Sequence, residues 1–165
     1  MYDVFLDTEY KDKGGAIFLI GIRTTHGEKF SLYGPNLRWN VLEKILRDKK
    51  RIYVYGPDIG KLETHFGKLI KPNWYCINVF SIVKKFLPEI EKKSLINVEK
   101  YMGLTRQSTA FKTYTRTLDI HWKDPKKRKG IINYNMEDVV FLETCYNIMH
   151  DVIKFDPDDF RIKAK

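Results

Sequence analysis

Residues 16–23, AIFLIGIR, are almost continuously apolar. A run of this kind reads as a strand buried inside a sheet. Residues 2–8 (YDVFLDT) precede it, rich in β-forming residues and alternating in polarity, and Gly14-Gly15 supplies the turn between the two. Residues 28–33 (EKFSLY) read as a third strand after the turn at His26-Gly27. The three predict a hairpin meander, which Gly34-Pro35-Asn36 then breaks.

From there helix and strand alternate. The spacing of Trp39, Leu42 and Leu46 predicts a helix over 38–48, and RIYVY at 51–55 a short strand ended by Gly56-Pro57. Asp58 is placed to cap a helix running through Leu62, Phe66 and Leu69. WYCINV at 74–79 reads as a fifth strand. Residues 80–87 and 94–102 read as helices, the second capped by Ser94 and stopped by Gly103. The polar, aromatic and basic stretch 106–123 is assigned as helix, DPKKRKG at 124–130 as a charged loop, and 131–154 as the longest helix, with Ile132, Val139, Leu142 and Ile148 among its apolar positions. The final DPDDFRIKAK is expected to fray. The pattern predicts one α/β domain over residues 1–155 with a tail at 156–165.

Composition narrows what such a domain does. With 43% hydrophobic and 14% aromatic residues in 165, the chain builds a real core, which excludes global disorder. Cys76 and Cys145 lie far apart without a CxxC pair, so neither a structural zinc site nor a disulfide scaffold is expected. The start MYDVFLDTEY has no basic segment followed by an apolar run, and no stretch reaches bilayer length, so a soluble, cytoplasmic protein without a membrane partner is expected. Lys and Arg number 30 against 21 acids, a formal charge of +9 that favours polyanionic partners, nucleic acid first. Abundant lysine, scarce alanine and the single glutamine Gln107 fit an AT-rich genome or a hot-living host equally well.

Four acids stand where strand ends can bring them together. Asp7 and Glu9 are two apart at the end of the first strand, so their side chains share a face. Asp58 follows the end of another strand, and Asp138 lies on the long late helix, four residues after Tyr134 and on the same helical face. Strand ends in an α/β sheet open onto a common crevice. Converging carboxylates are tolerable when cations bind between them, and oxygen-only ligands suit Mg²⁺ or Mn²⁺. A pair of such ions activates a water and stabilises the leaving oxygen of a phosphodiester, with a nearby tyrosine hydroxyl to orient that water. Taken singly, each acid is equally at home as a solvated edge residue, a helix cap or an ordinary helical acid.

In combination the segments FLDTEY (5–10), YGPDIGKL (55–62) and INYNMEDVVFLET (132–144) resemble the three motifs of the DEDD exonuclease superfamily, and Tyr134-Asn135-Met136-Glu137-Asp138 resembles its tyrosine subclass. SLINVEKYMGLTR (94–106), followed by the Trp122 region, further resembles the ribonuclease H-like domain of predicted archaeal and bacterial 3′–5′ exonucleases. The resemblance implies a mixed five-stranded sheet of order 3-2-1-4-5, with the second strand antiparallel and helices on both sides. It implies a two-metal-ion 3′–5′ exonuclease acting on single-stranded 3′ ends in DNA repair or RNA processing. Asp7, Glu9, Asp58 and Asp138 would be its ligands for two divalent cations, Mg²⁺ or Mn²⁺, and Tyr134 its water-orienting residue. The chain departs from the family pattern at Tyr10, where a small residue is usual, at the shortened Gly56-Pro57-Asp58, and at Asn78-Val79, where Asp-Leu is usual.

Other residues fit a nucleic-acid surface. Tyr10 is suited to stack on a terminal base or to pack at the sheet edge. Lys126, Lys127, Arg128 and Lys129 read as phosphate contacts beside the site or as a solvated loop. Arg106, Lys112 and Arg116, interleaved with Phe111, Tyr114 and Trp122, fit a single-strand groove, although the aromatics serve a core as well and Trp122 is assigned there. His65 and His121 lack a second ligand at metal spacing and are read as structural, and Asp156, Asp158 and Asp159 lack the glycine and glutamate of a calcium loop. Two rival functions share the pattern: a catalytically weak nucleic-acid-binding module, and a ribonuclease H-like endonuclease.

Overall fold

The computed structural model describes residues 2–11, 15–106 and 118–163. Strands β1 (Tyr2–Tyr10), β2 (Ile17–Thr24), β3 (Lys29–Tyr33), β4 (Lys49–Val54) and β5 (Tyr75–Asn78) form one sheet in the order β3-β2-β1-β4-β5. β2 is antiparallel to both neighbours, whereas β4 runs parallel to β1 and β5. This is the expected order, with the second strand reversed as expected. Helices α1 (Trp39–Leu46), α2 (Asp58–Phe66), α3 (Val79–Phe86), α4 (Leu95–Tyr101), α5 (Leu118–Trp122) and α6 (Pro125–Ile153) complete the fold. Among the described residues no helix is long and apolar enough to cross a membrane.

β1 is the central strand, and its pleat divides the molecule. Val4 and Leu6 join Ile20, Ile22, Ile52 and Val54 in a core closed by Leu42 and Leu46 of α1 and Ile59 and Leu62 of α2. Phe5 faces the other way, with Tyr53 and Ile77, under Val79, Ile82 and Val83 of α3 and Val139, Leu142 and Cys145 of α6. The two-residue period carries Asp7 and Glu9 onto this second face. Beside them the ladder is irregular: Glu9 pairs with Leu19 and Tyr10 with Ile17, leaving Phe18 as an extra residue. Such a bulge re-aims side chains, and both Phe18 and Leu19 pack with Leu118, Ile131 and Tyr134.

The buried positions of α6 are Ile131, Tyr134, Asn135, Asp138, Val139, Leu142, Cys145, Tyr146 and Met149. Their three- and four-residue spacing is that of one stripe facing the sheet. The helix lies so close to β2 that a Cβ on Gly21 would stand 2.2 Å from Asn135 Oδ1 and 3.1 Å from Val139 Cγ2. An ion pair between Arg23 of β2 and Glu143 fastens the same contact further along.

Two expectations are corrected. Residues 124–130 are not a loop: α6 begins at Pro125, and the Asp124 side chain accepts a hydrogen bond from the Lys126 amide at 2.9 Å. Asp-Pro is a helix-start signature, but the basic run after it has no apolar periodicity to show that a helix follows. The tail does not fray through Ile162 either. Pro157–Phe160 form a 3-10 turn capped by Asp156, Phe160 packs on Phe86 and Phe155, and Arg51 Nε donates to Asp158 Oδ1 at 2.8 Å. The Ile162 amide donates to Cys76 O at 2.7 Å along the outer edge of β5. Of the helix assigned to 106–123, the structure describes Arg106, which is not helical, and residues 118–123, which contain α5. Phe111, Lys112, Tyr114 and Arg116 lie outside the described residues.

Candidate active site

Asp7 and Glu9 leave β1 toward α6, and Asp138 meets them from the helix. One carboxylate oxygen from each of the three lies within 4.8 Å of the others. Tyr134, one helical turn before Asp138, is buried beside them and lines the same cleft, whose volume is about 380 Å³. The stripe of α6 turns polar at Tyr134, Asn135 and Asp138, where it crosses the end of β1. Asn135 Nδ2 donates to Asp7 Oδ2 at 2.7 Å, so the residue facing Gly21 also fixes the first acid.

Asp58 reaches the cleft from the opposite layer. It is the first residue of α2, and Pro57 holds the cap position expected of Asp58. Its carboxylate accepts from Thr8 Oγ1 at 2.5 Å. Thr8, between Asp7 and Glu9, points to the α2 side of the pleat and so ties the two halves of the cleft together. The turn that presents Asp58 is held by Asn78: its Oδ1 accepts from the Gly56 amide and from the Phe80 amide, each at 3.1 Å, capping α3 at the same time. Gly56 has φ of 99°, a conformation that favours glycine. Asp58 lies outside the tight three-acid group, but its charge still raises the pKa of Asp7.

All four carboxyl groups are held above their ordinary range. Burial is the first cause in each case. Asp7 rises well above its usual value, with Asp58, Glu9 and Asp138 adding to the effect. Glu9 is pushed to about 8 by burial and by Asp138. Asp58 and Asp138 each rise to about 6, the hydrogen bond from Thr8 pulling Asp58 back and Arg106 pulling Asp138 back. Burial and the neighbouring Asp138 also push the Tyr134 phenol up, so it stays protonated at neutral pH. A divalent cation removes both causes at once, because it replaces lost solvation and neutralises the mutual repulsion. The donors are all carboxylate oxygens, the set that suits Mg²⁺ or Mn²⁺, so the residues fit such a metal.

The residues expected on nucleic acid divide into three groups. Tyr10 is 42% exposed at the mouth of the cleft, with Lys61 Nζ 2.7 Å from its ring centroid. Lys126, Lys127 and Lys129 are exposed on the first turns of α6, while Arg128 lies against Trp122, 5.2 Å from its ring centroid. Trp122 packs on Phe18, as its assignment to the core requires. Arg106 is not on a surface groove: it is 5% exposed and pairs with Glu99 and Asp138. Its guanidinium is committed to carboxylates of this chain, and this corrects its placement among the nucleic-acid contacts. Sequence reasoning gave no role to Thr8, Lys61, Asn78, Glu99 or Asn135. The i+3 spacing of Lys61 from Asp58 was the one legible signal.

A family model of the RNase H superfamily matches residues 4–150, and the chain belongs to that superfamily. Its fold is similar to that of the family B DNA polymerase from the hyperthermophilic archaeon Pyrobaculum calidifontis, with a TM-score of 0.70 at 16% identity over 93% of this chain and 24% of the polymerase. The chain therefore spans about a quarter of that protein's length. It is also similar to a nuclease solved in its apo form, with a TM-score of 0.66 at 14% identity over 92% of this chain and 73% of that one. At these identities the likeness is one of fold. No curated protein sequence matches the chain.

Proposed function

We propose that this chain is a metal-dependent 3′–5′ exonuclease of the tyrosine-containing DEDD kind, hydrolysing phosphodiester bonds at single-stranded 3′ ends. The observation that carries the reading is the meeting of Asp7, Glu9 and Asp138 within 4.8 Å, with Tyr134 and Asp58 lining the same cleft. The 3′–5′ polarity comes from the resemblance of the three motifs. Asp7, Glu9 and Asp138 would hold divalent cations, with Asp58 completing the set. Bound there, Mg²⁺ or Mn²⁺ would supply Lewis-acid activation of water and stabilisation of the leaving oxygen.

The protein's own groups do the positioning. Asn135 and Thr8 hold Asp7 and Asp58 by hydrogen bonds. The protonated Tyr134 hydroxyl orients a water by hydrogen bonding and is too weak an acid to serve as the base. Tyr10 offers a ring face to a base at the cleft mouth, and Lys61 beside it meets a phosphate. Lys126, Lys127 and Lys129 extend the positive surface along the start of α6.

The test is a 5′-labelled single strand incubated with Mn²⁺ or Mg²⁺. A ladder shortening from the 3′ end, lost in Asp7→Ala, is the expected result. Cutting of a circular single strand would instead mark an endonuclease, since a circle has no end to start from. Retention without cleavage would mark a binding module.

A further inference from the structure

We infer that Arg106 and Glu99 form a charge-balanced clamp that sets the position of Asp138 for cation binding, an inference that rests on reading the cleft as a metal site. Glu99 is 1% exposed on α4, on the other side of Arg106 from Asp138. Arg106 Nε donates to Glu99 Oε2 at 2.7 Å, and Nη2 donates to Glu99 Oε1. The same Nη2 reaches Asp138 Oδ1 at 2.5 Å. The rings of Tyr134 and Phe141 lie 5.5 and 5.3 Å from the guanidinium carbon.

Each part has a physical reason. A guanidinium is planar and permanently charged, so it joins two carboxylates in a fixed geometry that an ammonium cannot reproduce. Alone, a buried positive charge against Asp138 would oppose cation binding. Glu99 cancels that charge, and what remains is a directed hydrogen bond to Asp138 Oδ1. Asn135 does the corresponding work for Asp7 with a neutral amide. Arg106 is thus a positioning residue, acting through Asp138.

The test measures Mn²⁺ binding to chelator-stripped protein by electron paramagnetic resonance, with no nucleic acid present. Glu99→Leu combined with Arg106→Met removes both charges together and replaces them with apolar side chains, so neither is left buried without the other. This double variant is expected to melt near wild type and to bind Mn²⁺ about tenfold or more weakly, the loss typical when the outer partner of a metal ligand is removed. Arg106→Lys preserves the charge balance but not the fork, and is expected to fall between the two. Wild-type Mn²⁺ affinity in the folded variants overturns the clamp and leaves the metal site standing. No Mn²⁺ binding by the wild type overturns the metal site and the clamp together. Normal Mn²⁺ binding without cleavage of any strand overturns the nuclease reading alone.

Discussion

The two faces of β1 meet opposite demands from residues that alternate along one strand. On the α1/α2 face, Val4 and Leu6 are fully buried in an apolar core. On the α6 face, Phe5 is followed by Asp7 and Glu9, and the helix above answers with Tyr134, Asn135 and Asp138 in place of apolar residues. The first face, with the Phe5 part of the second, supplies the free energy of folding through burial. The second face draws on it, because acids are packed together there and lifted above their ordinary pKa. The rigid strand that secures the core also holds the acids in register, so the pleat carries both functions.

Substitutions at adjacent positions should separate the two demands. Asp7→Ala is expected to lower cleavage by at least about a thousandfold, in line with the loss of a central group in a concerted site, while the chelated protein melts no lower than wild type. Leu6→Ala should do the reverse: a loss of about 2–5 kcal/mol in stability, with the activity of the molecules that remain folded unchanged. Denaturant titration beside initial rates on a labelled strand reads both. Gly21→Ala sharpens the comparison from the β2 side. Its new Cβ would overlap Asn135 Oδ1, so the Asn135 side chain must turn away or α6 must lift, costing about 1–3 kcal/mol and loosening the Asn135 hold on Asp7. Both the melting temperature and the apparent Mn²⁺ affinity should fall in this variant.

The acid face should also give the metal-free protein an inverted pH profile. Between the unfolded carboxyl range near pH 4 and the folded values of about 6 for Asp58 and Asp138 and about 8 for Glu9, the folded state binds more protons than the unfolded one. The cost of the cluster is absent below the unfolded pKa and complete above the folded ones. Melting temperature in a chelator should therefore fall as pH rises through that window, and excess Mn²⁺ should reverse the slope, because metal binding displaces those protons. Thermal melts at several pH values, with and without metal, check the sign. The smallest effect is expected on the basic turn of α6: replacing Lys126, Lys127 and Lys129 with Gln should leave melting unchanged and reduce the salt slope of strand binding by up to about one unit per lysine that contacts phosphate.

The strands were legible because their apolar pattern and turns are local. AIFLIGIR, RIYVY and the alternation of YDVFLDT specify β2, β4 and β1 without reference to anything distant. The start of α6 was hidden because Lys126 to Lys129 carry no apolar period, and the docked tail because Phe160 and Ile162 gain meaning only against Phe86 and Cys76. The candidate acids could be named from spacing and motif. Their supports could not, since Thr8 meets Asp58 across 50 residues and Asn135 meets Asp7 across 128. Arg106 shows the same limit: a basic residue among aromatics suggests a groove, and only the packing of α4 against α6 reveals that Glu99 and Asp138 have claimed it.

The central claim is that these acids share divalent cations in one cleft, and anomalous diffraction from Mn²⁺-soaked crystals tests it most directly. Manganese peaks coordinated by Asp7, Glu9 and Asp138, with Asp58 turned toward them, are the expected result. Carboxylates that stay metal-free at saturating Mn²⁺, or ions bound elsewhere on the molecule, would contradict it.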